Sequence, residues 1–283
     1  MLIFRKDKKV DSVLNETKYI MKKYSISANK SLGQNFLIDD EVVNNIIESA
    51  KISKNDLVIE IGPGAGSLTS KLAVFAKNVL CYEVDEALKP VLSHSLKDFN
   101  NIEIIFNDFL KSDVNNDIKK YSYNKLYVIA NLPYYITTPI LMKLITDNIE
   151  VDKIVVMVQK EVGDRFRAKP NTKDYSSLSV YLNYYFDVKK ILDVSRNVFL
   201  PKPNVDSIVV EFTKKEQVEL KNKELFFNLV RDSFKQKRKN LRNNLKNYDL
   251  NKIDEILKEH NMDLTYRAEQ IPIEMFIEIS NKL

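Results

Sequence analysis

The segment Leu57-Val-Ile-Glu-Ile-Gly-Pro-Gly-Ala-Gly66 constrains the fold more than any other. A mostly apolar five-residue run reads as a buried strand and passes directly into a turn. That turn holds three of the chain's 5 glycines. Ser67 and Thr69 then open a helix. Without a Cβ, glycine reaches otherwise costly dihedrals and lets the backbone approach a ligand closely. Taken alone, the pattern is also that of a structural strand-to-helix turn.

The wider chain extends the pattern. Leu57–Ile61, Val79–Val84, Ile102–Phe106, Leu126–Ala130, Ile154–Val158, Val188–Val194 and Val205–Phe212 read as strands, with helical segments between most of them. Short apolar strands alternating with helices predict a parallel sheet covered on both faces. The last two strands lack an intervening helix and are expected to pair antiparallel. Helical spacing over Val10–Tyr24 and Asp39–Ala50 predicts two helices ahead of the first strand. Beyond Phe212, helices are predicted over Lys223–Leu245, Leu250–Leu257 and Pro272–Asn281. The expected division is therefore an N-terminal helical extension (1–28), an α/β domain (29–213) and a small all-helical C-terminal domain (214–283).

The glycine spacing narrows the ligand. Gly62, Gly64 and Gly66 form G-x-G-x-G, with the third glycine one residue early for the fingerprint that holds a dinucleotide pyrophosphate. Pro63 also removes a backbone donor that a phosphate would use. A nucleoside cofactor without phosphate fits better, and S-adenosylmethionine is the common one. Glu83 ends the next strand about 20 residues on, where a carboxylate can bind both ribose hydroxyls. Asp85 competes for that role, and Glu83 is preferred because it closes the strand. Asp108 follows the third strand, placed to accept from the cofactor's adenine amine.

Asn131-Leu-Pro-Tyr134 follows the fourth strand at the same sheet edge. The pattern suits activation of an exocyclic amine such as that of adenine, whose lone pair is delocalised into the ring. Two acceptors gripping its protons localise that lone pair. The Asn131 side-chain oxygen is one, and the Leu132 carbonyl, aimed by Pro133, is the other. Tyr134 offers a ring for the base to stack on. As a bare tetrapeptide, this is also an ordinary proline-containing loop.

Composition excludes other classes. One cysteine rules out an intramolecular disulfide framework, and with 2 histidines no metal site is expected. Met1–Phe4 is too short for a signal peptide, and no stretch approaches the ~20 apolar residues of a membrane span. A soluble, cytoplasmic protein is expected. With 44% hydrophobic residues, the chain can bury a sizeable core. The net charge of +5 is modest, but Lys235, Lys237, Arg238, Lys239, Arg242 and Lys246 crowd into one acid-free run. Arg5 to Lys30 is a second basic region. Two such regions point to a polyanionic partner. On the predicted helix, Arg238 and Arg242 lie one turn apart and share a face.

Together these motifs resemble the bacterial small-subunit rRNA adenine dimethyltransferases, from about Asn29 to the C-terminus. Ser31-Leu-Gly-Gln-Asn-Phe-Leu37 is similar to the family's first cofactor motif, which implies cofactor contacts for Gln34, Asn35 and Leu37. Gly62, Glu83, Asp108 and Asn131 fall on further cofactor positions. Asn131-Leu-Pro-Tyr-Tyr-Ile-Thr-Thr-Pro-Ile140, Val158-Gln-Lys-Glu-Val162 and Phe199-Leu-Pro-Lys-Pro-Asn-Val-Asp-Ser207 also match, and Phe199 is implied to pack the second face of a flipped target adenine. Arg238-Lys-Asn-Leu-Arg-Asn243 and Arg267-Ala-Glu-Gln270 are similar to the family's helical domain. The resemblance implies a Rossmann-like methyltransferase fold. It also implies dimethylation of two adjacent adenines near the 3′ end of 16S rRNA in the assembling 30S subunit, by a monomer. Asn171 and Ser176 depart from the pattern, standing where glycines are expected. Three other readings stay open: a large-subunit, erythromycin-resistance type of enzyme; a non-catalytic assembly factor on the same fold; and, more weakly, a DNA adenine methyltransferase.

Overall fold

The computed structural model describes residues 13–283. The predicted helix start at Val10 and the first basic residues from Arg5 lie outside that range. The chain divides into two compact units. One comprises the residues up to Lys160 together with Lys190–Phe212; the other comprises Glu161–Lys189 and Thr213–Leu283.

The first unit opens with α1 (Val13–Lys23), β1 (Phe36–Leu37) and α2 (Asp40–Ala50). There follow β2 (Leu57–Ile61), α3 (Ser67–Phe75), β3 (Asn78–Glu83), α4 (Lys89–Ser95) and β4 (Ile102–Phe106). Then come α5 (Val114–Ile118), β5 (Leu126–Asn131), α6 (Thr137–Thr146) and β6 (Lys153–Gln159). After α7 (Lys160–Phe166) and α8 (Ser177–Tyr185), the chain returns through β7 (Phe186–Val194), β8 (Phe199–Leu200) and β9 (Ser207–Lys214).

The main sheet has the order β4-β3-β2-β5-β6-β9-β7. Pairing is parallel across β4, β3, β2, β5 and β6. Every residue of β2 is buried, as a central parallel strand requires. From β2 the next strands step one way, to β3 and β4, and then reverse to β5 and β6 on its other side. Loops leaving the C-terminal ends of β2 and β5 therefore diverge, and the crevice between them is where such sheets bind ligands. β1 and β8 form a separate antiparallel ladder, with Leu37 opposite Phe199. Two residues each are too short to show a period, so neither strand is legible in the sequence.

Asp39 caps α2, accepting from the Val42 amide at 2.9 Å. The face of α2 bearing Val42, Val43, Ile46 and Ile47 packs with Leu68 and Leu72 of α3 against Val58, Cys81 and Ile129 of the sheet. α1 belongs to this unit rather than standing apart as an extension. Its Ile20 packs with Phe36, Ala65, Leu88 and Leu92, and the Val13 amide donates to Asp40 at 3.1 Å.

The second unit adds α9 (Lys223–Ser233), α10 (Leu241–Asn244), α11 (Leu250–Glu259) and α12 (Ile273–Lys282). It is discontinuous in sequence, unlike the expected division, because α7 and α8 belong to it. Aromatic packing explains this. The rings of Tyr181 and Tyr184 of α8 pack, tilted, at 4.7 and 5.3 Å against Phe227 and Phe226 of α9, and the Tyr181 hydroxyl donates to the Phe227 carbonyl at 2.9 Å.

The predicted helix over Lys223–Leu245 is broken. α9 stops at Ser233 and α10 begins at Leu241, capped by Asn240, which accepts from the Asn243 amide. The Asn244 side chain donates to the Ser233 and Gln236 carbonyls at 2.7 and 3.2 Å, satisfying groups that a continuous helix would have used. Arg238 thus lies in a turn and Arg242 in α10, so the expected one-turn relationship does not hold. The two departures from the family pattern are also accommodated. Asn171 takes a left-handed φ of 67°. Ser176 sits at φ −152°, extended backbone open to any residue, and caps α8 in a reciprocal box with Ser179.

Candidate active site

A cavity of about 310 Å³ opens at the crevice between the C-terminal ends of β2 and β5. Its walls come from four segments that the sequence singled out: Gly33–Leu37, the glycine turn, the end of β3 with Glu83, and Asn131–Tyr134. Gln34, Asn35, Leu37, Gly62, Gly64, Asp108, Leu132 and Pro133 all line it. Gly66 does not; it starts α3 behind the wall, at φ 88°.

The chemistry of the lining selects its occupant. Glu83 and Asp108 bring carboxylates to the cavity lining, and among the described residues no lysine or arginine joins them. Such a wall repels pyrophosphate and suits a cation without phosphate. Gly62, at φ 73°, has no protein atom within 4 Å of where a Cβ would stand, so any side chain there would project into open space at the wall. These features fit S-adenosylmethionine, with a sulfonium and no phosphate.

Glu83 is buried. One carboxylate oxygen accepts from the Asp85 amide at 2.8 Å and the other from the Gly64 amide at 3.3 Å. Burial pushes its carboxyl up, and these amides pull it back. Asp85 is occupied elsewhere: it accepts from the Gln34 side chain at 2.7 Å and caps the following turn through the Ala87 amide. Of the two carboxylates, Glu83 lines the cavity and Asp85 does not. Asp108 combines two roles, lining the cavity while one oxygen accepts from the Leu110 amide at 3.0 Å.

The tetrapeptide is held from both sides. The Asn131 side-chain nitrogen donates to the Asn35 carbonyl at 3.0 Å, and Asn35 in turn donates to the Gly33 carbonyl at 3.0 Å. The Asn131 amide is thereby oriented, and its oxygen is the acceptor that remains. The Pro133 carbonyl is engaged by the Ile136 amide and the Thr137 hydroxyl. Among the described residues, no hydrogen bond involves the Leu132 carbonyl. Tyr134 is anchored through its hydroxyl, 2.8 Å from Ser207 Oγ, and burial pushes that phenol up.

Phe199 departs from expectation. It is 3% exposed, packs in the core with Leu37, Val42 and Val209, and does not line the cavity. It lies opposite Leu37 in the β1–β8 ladder, and among the described residues no ring contact joins it to Tyr134, so the expected aromatic sandwich is not formed in this arrangement. The basic run lies in the second unit. Lys235, Lys237, Arg238, Lys239 and Arg242 are all exposed, and Lys237 donates to the Lys173 carbonyl.

Three residues at or behind the walls escape the sequence reading. Glu60 is fully buried in β2, and burial pushes its carboxyl up to about 8, partly offset by the Thr69 hydroxyl and the Cys81 thiol. Its place inside a strand, where an acid is rare, is the available signal. Ser207 enters the sequence pattern only as the end of a motif. Tyr135, 59% exposed at the cavity, follows Tyr134 and reads in sequence as part of its loop.

Solved structures share this architecture. The dimethyladenosine transferase of Plasmodium falciparum superposes with a TM-score of 0.73 at 29% identity, covering 86% of this chain and 95% of that one. The 23S rRNA methyltransferase ErmE gives 0.68 at 25% identity, covering 88% and 99%. Fold and site thus define a Rossmann-like, S-adenosylmethionine-dependent methyltransferase. The family model described as ribosomal RNA adenine dimethylase matches residues 25–283. Proteins named ribosomal RNA small subunit methyltransferase A are 44% identical in Oceanobacillus iheyensis, over 94% of both chains, and 46% identical in Bacillus mycoides, over 95% of this chain and 96% of that one. The chain belongs to the ribosomal RNA adenine dimethylase family.

Proposed function

We propose that this enzyme transfers methyl groups to the exocyclic amines of two adjacent adenines near the 3′ end of 16S rRNA, giving dimethyladenosines late in small-subunit assembly. The observation that carries the reading is the orientation of Asn131. With its nitrogen committed to the Asn35 carbonyl, its oxygen accepts a hydrogen bond from one N–H of the target amine. The Leu132 carbonyl accepts from the other. Tyr134 stacks the flipped base. S-adenosylmethionine, when bound, supplies an electrophilic methyl group. Gln34, Asn35, Leu37, Gly62, Gly64, Glu83 and Asp108 hold it in line with the amine, with Gly66 setting the start of the supporting helix. Positioning in a site that excludes water supplies most of the rate.

Lys235, Lys237, Arg238, Lys239 and Arg242 contact the rRNA backbone, and residues 214–283 form the ribosome-facing part of the chain. The enzyme works as a monomer in the cytoplasm on the 30S particle. Among the described residues no helix is long and apolar enough to cross a membrane. The small-subunit assignment rests on the names of relatives at 44–46% identity, against 25% for the 23S enzyme. The test is methyl transfer from labelled S-adenosylmethionine to undermodified small subunits, with large subunits and DNA in parallel. Dimethyladenosine only in small-subunit RNA is expected. Label in large subunits moves the protein to the resistance type, and binding without label makes it an assembly factor.

A further inference from the structure

We propose that Tyr135 is a second stacking platform, which takes the nucleotide next to the target adenine. The inference rests on the reading of the site given above and extends it to substrate selection. Tyr134 and Tyr135 are consecutive but differently held. The Tyr134 hydroxyl is fixed on Ser207 and its ring is partly buried. Tyr135 is 59% exposed, lines the same cavity, and no hydrogen bond ties its hydroxyl to the protein among the described residues. Covering such a ring with a flat ligand would remove apolar surface from water, which favours binding there.

The ring is nevertheless supported from behind. A Cβ on Gly33 would stand 3.3 Å from both Cδ1 and Cε1 of Tyr135, so the ring rests on bare glycine backbone. Gly33 has φ 63°, which also favours glycine. One side of the ring therefore meets the protein and the rest meets solvent. A platform of this kind, with no lysine or arginine among the described residues lining the cavity, suits a base rather than a phosphate. The substrate is a polymer. Once one base enters against Tyr134, its neighbour is held within a nucleotide's length of the adjoining residue.

The test compares Tyr135→Phe, Tyr135→Leu and Tyr135→Ala on undermodified small subunits, with cofactor affinity measured by calorimetry. Phe keeps the ring and restores wild-type KM within about twofold. Leu and Ala raise KM for the particle roughly 5- to 100-fold, the loss of one base–aromatic stack, with cofactor affinity unchanged. A second readout uses small-subunit rRNA carrying 2-aminopurine at the target or at the position beside it. Quenching at the adjoining position that survives in Phe and vanishes in Leu and Ala is expected. Wild-type KM in Ala, quenching at the target position alone, or a matching fall in cofactor affinity would each overturn the proposal. If wild-type enzyme methylates no small subunits at all, the reading of the site fails instead.

Discussion

The side-chain nitrogen of Asn131 lies 3.0 Å from the backbone carbonyl of Asn35, 96 residues earlier in the chain. A strand end and a loop that precedes the sheet are thus joined at the atom that sets the amide's orientation. Asn131→Ala removes both the tether and the acceptor. A fall in kcat of about 10²–10³ is expected, the cost of one preorganised transition-state partner. Asn131→Asp, which cannot donate to Asn35, should fare little better. Particle affinity should stay near wild type in both, measured by filter binding. Turnover surviving in Asn131→Ala removes the acceptor role.

Glu60 predicts a pH dependence of stability. Its carboxyl is pushed up to about 8 in the folded chain, from an ordinary 4.5. Between those values the folded state holds a proton that the unfolded state has released. Stability therefore falls as pH rises from about 4.5 to about 8, by roughly 5 kcal/mol at most, and is flat on either side. Glu60→Gln should remove this slope while keeping the fold, as followed by thermal melts from pH 5 to 9. A slope unchanged in Glu60→Gln assigns it to another group.

Phe199 is interior, so its removal should act first on stability. Phe199→Ala is expected to cost about 3–5 kcal/mol. Phe199→Leu should cost much less and keep most activity. If Phe199→Ala melts like the wild type yet loses turnover, the ring leaves the core to meet the base, and the sandwich expected from sequence exists in the complex.

Much of the candidate site was legible because a glycine turn, strand-terminal acids and a proline-containing loop fall in register at successive strand ends, although each alone has ordinary structural uses. The glycine turn, Glu83, Asp108 and Asn131 are each bound to a strand end, and the strands announce themselves by apolar runs. What stayed hidden depends on contacts between distant segments. No local period places Phe36–Leu37 opposite Phe199–Leu200. The turn at 234–240 arises because Asn244 turns back to the Ser233 carbonyl, while the apolar spacing on either side still reads as one helix.

That turn changes the expectation for the basic run. Arg238 and Arg242 sit on separate pieces of backbone and need not share a phosphate track. Neutralising each should lower the salt slope of particle binding independently, by about 0.7–0.9 for every phosphate no longer neutralised. Measured from 50 to 200 mM salt, the double variant should show the sum. A slope that stays at the wild-type value in the double variant means this run faces solvent on the particle.

Gly33 and Tyr135 occupy one shared volume, although about a hundred residues separate them in sequence. A methyl group at position 33 meets the ring at 3.3 Å on a backbone with φ 63°, so the two positions do not vary freely. A side chain at 33 must push the Tyr135 ring aside by a few tenths of an ångström and carries the strain of its positive φ whatever stands at 135, so in a library of variants a smaller residue at 135 should recover only part of what a substitution at 33 loses.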